Sequence, residues 1–293
     1  MKPLAAARPP LPFFLDGGAD ARFCVFHSPS HSPSPDDACR GAIVYLHPFA
    51  EEMNKSRRMA ALGAAALAAD GYAVLQIDLH GCGDSAGDFG DATWESWLDD
   101  VARARRWLQR ELGDRLTEVP ALWGLRLGAL LALDAARRAP EPPSALLLWQ
   151  PVTSGAVLLT QFLRLAVAGQ MLAAGSADKG GTAALRERLA AGETMEIAGY
   201  QLNAALARAL DAQDAAKAPP PPCPVHWLEV VAEAGRPLPP AAARIVQRWQ
   251  EAGIAVDTQT VAGPQFWATQ EIAECPALVE RTRHALSALD HAA

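Results

Sequence analysis

The sequence lacks the features that direct a chain to a membrane, to nucleic acid or to a disulfide-rich scaffold. No window of 18 or more residues is free of charges and helix breakers, so no membrane-spanning helix is expected. The formal net charge of −7 gives nucleic-acid binding no electrostatic support. Five cysteines are scattered without CxxC spacing, which indicates reduced thiols. Because prolines and Arg8 interrupt the N-terminal apolar residues, no signal peptide is expected and a cytoplasmic location is predicted.

What the sequence does have is a regular alternation of apolar runs and helix-like segments. The run "GAIVYLHPF" is followed by the Ala/Leu-rich "SRRMAALGAAALAADG", and "YAVLQIDLHG" is followed by the amphipathic "TWESWLDDVARARRWLQREL". Short apolar runs that alternate with helices indicate a mostly parallel central sheet covered by helices on both faces. An earlier run, "ARFCVFHSP", predicts an antiparallel edge strand or hairpin. The fold class is therefore predicted to be α/β.

One long segment departs from this alternation. Residues 152–222 are rich in Ala, Leu and Arg, have no strand pattern and end in "KAPPPPCP". We interpret them as an inserted helical lid, so residues 1–151 and 223–293 are predicted to be the N-terminal and C-terminal parts of one core. The apolar start of the lid either packs on the core or lines a pocket for an apolar or acyl-like ligand.

The stretch "WGLRLGA" lies between an apolar run and a helix pattern, where many hydrolases have G-x-S-x-G. Gly124 and Gly128 keep the spacing of the two glycines, and Leu127 is predicted to begin the helix. "YLHPF" is similar to an oxyanion loop, and "DLHGCGDSAG" to the loop D-x-R-G-x-G-x-S-x-G. Over roughly residues 40–290 the chain resembles the α/β-hydrolase fold with an inserted helical lid.

A narrower resemblance rests on "HPFAEEMNKSRRM" and "WGLRLGALLALDAARR". Both are similar to the exosortase A system-associated hydrolase 2 family, which occurs in bacteria that sort PEP-CTERM proteins and make exopolysaccharide. The resemblance implies a cytosolic protein with a hydrolase label, encoded near surface-polysaccharide machinery. It establishes no substrate, because a label of this kind rests on the fold.

The three positions of a serine-hydrolase triad all depart from the pattern that this fold implies. Arg126 occupies the nucleophile position, and a guanidinium stays protonated and cannot attack a carbonyl. Alignment of the G-x-x-D-x-x-x-P-P frame on Pro239 and Pro240 places Gly235 at the acid position. The loop "VAGPQFWATQ", where the histidine is expected, offers Gln265 and no histidine. The standard triad is therefore absent.

Of the seven histidines, only His47 and His80 are expected at the top of the sheet. His47 is predicted to hold the oxyanion loop by hydrogen bonds, and His80 to brace its own loop. Cys82 and Ser85 are close enough in sequence to form an unconventional pair with His80. Asp78 and Asp84 near the two histidines match no strong metal signature, so neither a metal nor another cofactor is predicted. The other five histidines are predicted to lie away from this edge: His27, His31, His226, His284 and His291.

Arg126 admits two interpretations, which the sequence leaves open. In the first, the guanidinium pairs internally with Glu51 or Glu52, just past the oxyanion loop. In the second, the guanidinium and the helix N-terminus bind a carboxylate, a phosphate or an acidic sugar. The candidate pocket residues are His47, Glu51, Glu52, Asp78, His80, Cys82, Ser85, Arg126, Leu127, Gln265 and Trp267.

The sequence therefore predicts a non-catalytic or atypical member of the fold that binds an anionic or acyl ligand. A protein partner in an exopolysaccharide or protein-sorting pathway is an alternative binding role. The other possibility is an active hydrolase of esters, thioesters or amides that uses a non-standard site near His47, His80, Cys82 and Ser85.

Overall fold

A computed structural model describes residues 9–30, 39–174 and 181–289 of the chain. His31 and His291 lie outside these described residues. The strands are β1 (Leu11–Leu15), β2 (Arg22–His27), β3 (Gly41–Leu46), β4 (Tyr72–Ile77), β5 (Ala121–Leu125), β6 (Leu146–Trp149), β7 (Met195–Ile197), β8 (Tyr200–Leu202), β9 (Val225–Val231) and β10 (Val256–Ala262). The helices are α1 (Glu51–Ala69), α2 (Trp94–Leu112), α3 (Leu127–Arg138), α4 (Gly155–Ala174), α5 (Gly181–Ala190), α6 (Ala204–Ala212), α7 (Pro240–Glu251) and α8 (Pro276–Leu289).

Within the described residues, eight strands form one sheet in the order β1-β2-β4-β3-β5-β6-β9-β10. Strands β4, β3, β5, β6, β9 and β10 run parallel, and β1 and β2 form an antiparallel hairpin at one edge. The predicted α/β-hydrolase fold and the predicted antiparallel edge are confirmed. Since the C-terminal ends of the parallel strands meet at one edge, the loops after β3, β4, β5 and β10 can form one site.

Two apolar layers hold the helices on the sheet. On one face, α1 and α8 cover a core that contains Tyr45, Trp123 and Trp149. On the other face, helix α2 is fixed at its start by reciprocal hydrogen bonds between Thr93 and Ser96, both 3.0 Å long. Each hydrogen bond satisfies a backbone or side-chain group that the helix end would leave unpaired.

In the described residues, the segment between β6 and β9 forms helices α4, α5 and α6, in agreement with the expected helical character, and also a hairpin that was not expected. The prediction of no strand in residues 152–222 was wrong, because β7 and β8 pair antiparallel, with Met195 opposite Leu202. The strands are three residues each, too short for alternation of polar and apolar residues to stand out. Among the described helices, none combines the length and apolarity needed to cross a membrane.

Candidate active site at the turn after strand β5

The backbone at Arg126 has the sharp turn that an α/β-hydrolase uses to present its nucleophile. Arg126 adopts φ 56° and ψ −114°, a region that residues with a side chain rarely occupy, and α3 begins at the next residue. The Arg126 N–H donates to the carbonyl of Trp149 at 3.0 Å, and the Arg126 carbonyl accepts from Val152 at 3.2 Å. Hydrogen bonds to the chain around the end of β6 therefore hold the turn on both sides.

The two flanking glycines are required by the close approach of α3 to the sheet. A Cβ atom on Gly128 would lie 2.1 Å from the carbonyl oxygen of Leu46. A Cβ atom on Gly124 would lie 2.4 Å from the backbone of Gly128. The glycine spacing that suggested the turn from sequence is therefore explained by backbone contacts that leave no room for a side chain.

The guanidinium of Arg126 is paired internally with Glu52. Arg126 Nη2 donates to Glu52 Oε1 at 3.0 Å, and Nε lies 3.2 Å from the same oxygen. The two side chains are 17 % and 15 % exposed, so the ion pair is largely shielded from water. The sequence analysis named Glu51 and Glu52 as possible partners, and the structure pairs Arg126 with Glu52. Glu51 has no ion-pair partner in the described part of the chain.

Trp267 completes the surroundings of Arg126. The guanidinium carbon lies over the indole of Trp267, 5.6 Å from the ring centre, within the range of a cation–π contact. Trp267 itself is buried and packs edge-on against Phe266. The loop after β10 therefore contributes an aromatic cover at the site where an active hydrolase needs a histidine.

Glu229 is a buried acid near this site that was not identified from the sequence. It lies within β9, is 3 % exposed and accepts a hydrogen bond from Trp227 Nε1 at 2.9 Å. Burial raises the pKa of Glu229, and the hydrogen bond from Trp227 and the charge of Arg126 only partly offset it. The sequence signal for this residue is a single acid within the apolar run "PVHWLEVV", which indicates a buried carboxylate. Burial also raises the pKa of Glu52, against the opposing effect of Arg126.

His47 forms the contacts predicted for a brace of the oxyanion loop. Its Nδ1 lies 2.8 Å from the Pro48 carbonyl, and the backbone N–H of Leu79 donates to its Nε2 at 3.2 Å. This pair of contacts requires the proton on Nδ1. Because the ring is buried, the pKa of His47 is lowered, and both ring nitrogens are used by the scaffold.

Within the described residues, the side chains of the alternative catalytic site do not hydrogen-bond to one another. Ser85 Oγ donates to the Asp78 carbonyl and accepts from the Phe23 N–H at 2.9 Å. Burial raises the pKa of the Cys82 thiol far above neutrality, which opposes thiolate formation. His80 Nδ1 is buried and has no hydrogen-bond partner in residues 9–30, 39–174 and 181–289. The geometry therefore offers no nucleophile–base pair here.

The remaining candidates occupy positions that suit no acid–base role. The carboxylate of Asp78 accepts two hydrogen bonds from Arg57, at 3.2 and 2.8 Å. Gly235 is exposed in the loop after β9, and Glu233 beside it is a surface acid 3.6 Å from Arg236. Gln265 is exposed, and its side chain hydrogen-bonds to no described residue. Among the described residues, no group of histidines, cysteines and acids could hold a metal ion.

Aromatic side chains fill much of the space beside Leu127 and the oxyanion loop. Phe49 of the oxyanion loop contacts Phe162 of α4 at 5.0 Å between ring centres, and Phe89 contacts Tyr200 of β8 at 5.1 Å. The remaining space is about 10 Å³, which is about the minimum for one water molecule. A separate groove of about 170 Å³ runs between Glu51, Glu52 and the apolar side of α4.

Comparisons with known proteins agree with the fold described above. The family described as serine aminopeptidase, S33 matches residues 37–190, more than half of the chain. The fold is similar to that of Est1E from Butyrivibrio proteoclasticus with bound ferulic acid, with a TM-score of 0.68, 16 % identity and coverage of 94 % of this chain and 97 % of Est1E.

Two further solved structures have the same fold. A thermostable carboxyl esterase from Bacillus coagulans in complex with glycerol gives a TM-score of 0.58 at 16 % identity, with coverage of 97 % of this chain and 98 % of the esterase. XC6422 from Xanthomonas campestris, an α/β serine hydrolase without a lid, gives 0.53 at 15 % identity, with coverage of 96 % and 94 %. No curated protein sequence matches the chain.

Proposed function

The chain belongs to the serine aminopeptidase S33 family of α/β-hydrolases, and we propose that it is a non-catalytic member that acts by binding. The observation that carries the proposal is the Arg126–Glu52 ion pair at the nucleophile turn. An arginine that is bonded to Glu52 and covered by Trp267 can neither attack a carbonyl nor lose a proton to a base. The turn therefore has the backbone conformation of a nucleophile site, while its side chain forms a structural ion pair.

The binding role is assigned to the groove between Glu51, Glu52 and α4. Leu158, Phe162 and Leu165 give it an apolar wall, which suits an acyl chain or an apolar side chain of a protein partner. An anionic ligand would need Arg126 to leave Glu52, and Glu51 would oppose its approach. We therefore favour the acyl-like ligand or protein partner over the purely anionic ligand.

The proposed setting follows from the sequence resemblance to exosortase A system-associated hydrolase 2. It is a cytoplasmic role in bacteria that sort PEP-CTERM proteins and make exopolysaccharide. The support for this setting is the pair of motifs around His47 and Arg126. The fold neighbours contribute nothing to it, since similarity at this level of identity reports the fold alone.

The test of the proposal is an activity measurement with a covalent probe. We expect the wild type to hydrolyse p-nitrophenyl acetate and butyrate no faster than Arg126→Ala, and a fluorophosphonate probe to leave it unlabelled. Thermal melts with uncharged monoacylglycerols and with acidic sugars then report binding, and only the uncharged acyl compounds are expected to raise the melting temperature. Turnover that disappears in His80→Ala or Cys82→Ala would overturn the proposal and support the unconventional hydrolase.

A further inference from the structure

A second cavity lies on the α1 side of the sheet and is separate from the groove at α4. It occupies about 210 Å³ between helix α1 and strands β2, β3 and β4. This is larger than the roughly 150 Å³ of an apolar protein cavity that binds benzene. Neither Arg126 nor the loop after β10 lines it. It is therefore independent of the proposed function.

The cavity exists because α1 presents small side chains to the sheet edge. Ala60 and Ala61 face the hairpin strand β2, and Arg57 and Met53 lie one and two turns earlier along the helix. Alanine leaves unfilled the volume that leucine would occupy in a packed interior. Arg57 lines the cavity and its side chain is 42 % exposed, so this part of the lining is in contact with solvent.

A tyrosine hydroxyl and the N–H groups of a glutamine amide, none of which has a hydrogen-bond partner among the described residues, lie on neighbouring strands at the cavity floor. Tyr45 on β3 and Gln76 on β4 are register partners in the parallel pair, so their side chains point to the same face. Tyr45 is 4 % exposed, and its hydroxyl forms no hydrogen bond within the described residues. Gln76 uses its carbonyl oxygen for His27, 3.1 Å away, which leaves its amide N–H groups free to donate.

The lining of the cavity carries no net charge at neutral pH. Arg57 and Asp78 neutralise each other through two hydrogen bonds. Burial lowers the pKa of His27 and of His47, so both imidazoles are uncharged, and burial keeps the Tyr45 hydroxyl protonated by raising its pKa. A charged ligand would lose its hydration without gaining an opposite charge, which disfavours it.

From these observations we propose that the cavity between α1 and strands β2, β3 and β4 binds a neutral one-ring molecule that carries a hydroxyl or carbonyl oxygen. The ring lies against Val25, Met53 and Ala60, and the oxygen accepts hydrogen bonds from Tyr45 and Gln76. The occupant is defined by three features on the same face: the size of the space, the two free donors and the balanced charge.

The test uses phenol, toluene and benzoate as probes of the ¹⁵N-labelled full chain, followed by amide chemical shifts. We expect phenol to bind with a Kd on the order of 1 mM, toluene about fivefold more weakly, and benzoate not at all. The shifts should cluster on β2, β3, β4 and α1. Tyr45→Phe should weaken the binding of phenol to the level of toluene and leave the affinity for toluene unchanged, because only the hydroxyl is removed.

Two variants on α1 separate the site from general effects on folding. Ala61→Leu narrows the cavity and should abolish binding of phenol and toluene. Ala65→Leu, one turn further along the exposed side, should leave both unchanged. Equal phenol affinity in wild type and Tyr45→Phe, tighter binding of benzoate, or no shift with any probe would each overturn the proposal.

Discussion

The guanidinium carbon of Arg126 lies 5.6 Å from the centre of the Trp267 indole. The same guanidinium donates to Glu52 in the first turn of α1. The side chain at the nucleophile position thus joins three separate parts of the chain: the start of α3, the start of α1 and the loop after β10. In a serine hydrolase, the residue at this position must instead be free to attack the substrate.

Replacement of Arg126 by serine should weaken the fold and create no esterase. Arg126→Ser leaves Glu52 without its cation, and we expect the free energy of unfolding to fall by about 3–5 kcal/mol. Because Gln265 cannot act as a general base, p-nitrophenyl ester turnover should stay at background. Urea denaturation and the ester assay measure the two effects.

A double-mutant cycle and a surface pair provide the controls for this prediction. Glu52→Gln in the Arg126→Ser background should recover part of the stability, since the stranded charge is gone. Arg188→Ser breaks an exposed pair with Glu193 and should change stability by about 1 kcal/mol or less. If Arg126→Ser lowers the free energy of unfolding no more than Arg188→Ser does, then the Arg126–Glu52 pair does not stabilise the fold as proposed.

Glu229 should make the stability depend on pH in a defined direction. Because its pKa is raised in the fold, the native state binds the proton more tightly than the unfolded chain. Its contribution to stability is therefore fully present below the unfolded value of about 4.3 and is lost as the pH rises through the folded pKa. Glu229→Gln removes this loss and keeps an acceptor for Trp227.

The measurement is the difference in unfolding free energy between Glu229→Gln and wild type, taken from urea denaturation between pH 4 and pH 8. We expect the difference to grow in favour of the variant as the pH rises. The other titrating groups cancel in the comparison. A difference that stays constant over this range would contradict the assignment of a raised pKa.

The glycine at the start of α3 should tolerate no side chain. Gly128→Ala forces a methyl group against the Leu46 carbonyl, and we expect a loss of about 4 kcal/mol or more, or failure to fold. Gly169→Ala is the matched change in a helix, because a Cβ atom added there would have nothing within 4 Å. It should stabilise the protein by about 0.5–1 kcal/mol. Thermal melts of both variants test the prediction, and similar changes in melting temperature for Gly128→Ala and Gly169→Ala would contradict it.

The aromatic contact between Phe162 of α4 and Phe49 of the oxyanion loop should contribute strongly to stability. Phe162 is 4 % exposed and packs against Phe49, so Phe162→Ala should cost about 3–5 kcal/mol. Val157 on the same helix is 56 % exposed, and Val157→Ala should change stability by about 0.5 kcal/mol or less. Chemical denaturation of the two variants provides the comparison. Equal losses would mean that α4 does not pack on the core through Phe162.

The sequence predicted those features that depend on periodicity and on glycine spacing. Alternating runs indicated the parallel sheet, and Gly124 and Gly128 indicated the turn, because backbone crowding allows few residues there. The partner of Arg126 remained ambiguous between Glu51 and Glu52, since the choice depends on the helical phase of α1. The cover by Trp267 depends on contacts between distant segments, which a local pattern does not encode. The hairpin of β7 and β8 was missed because its strands are three residues long.

The backbone contacts around Gly124 and Gly128 have an evolutionary consequence. They fix the turn without help from the side chain at position 126, so the backbone shape of the site can persist after a catalytic side chain is lost. A lineage that replaced a nucleophile here would lose catalysis at once and keep the fold, and selection could then act on what the new side chain holds together. The side chain at position 126 can therefore be replaced while the backbone around it keeps its conformation.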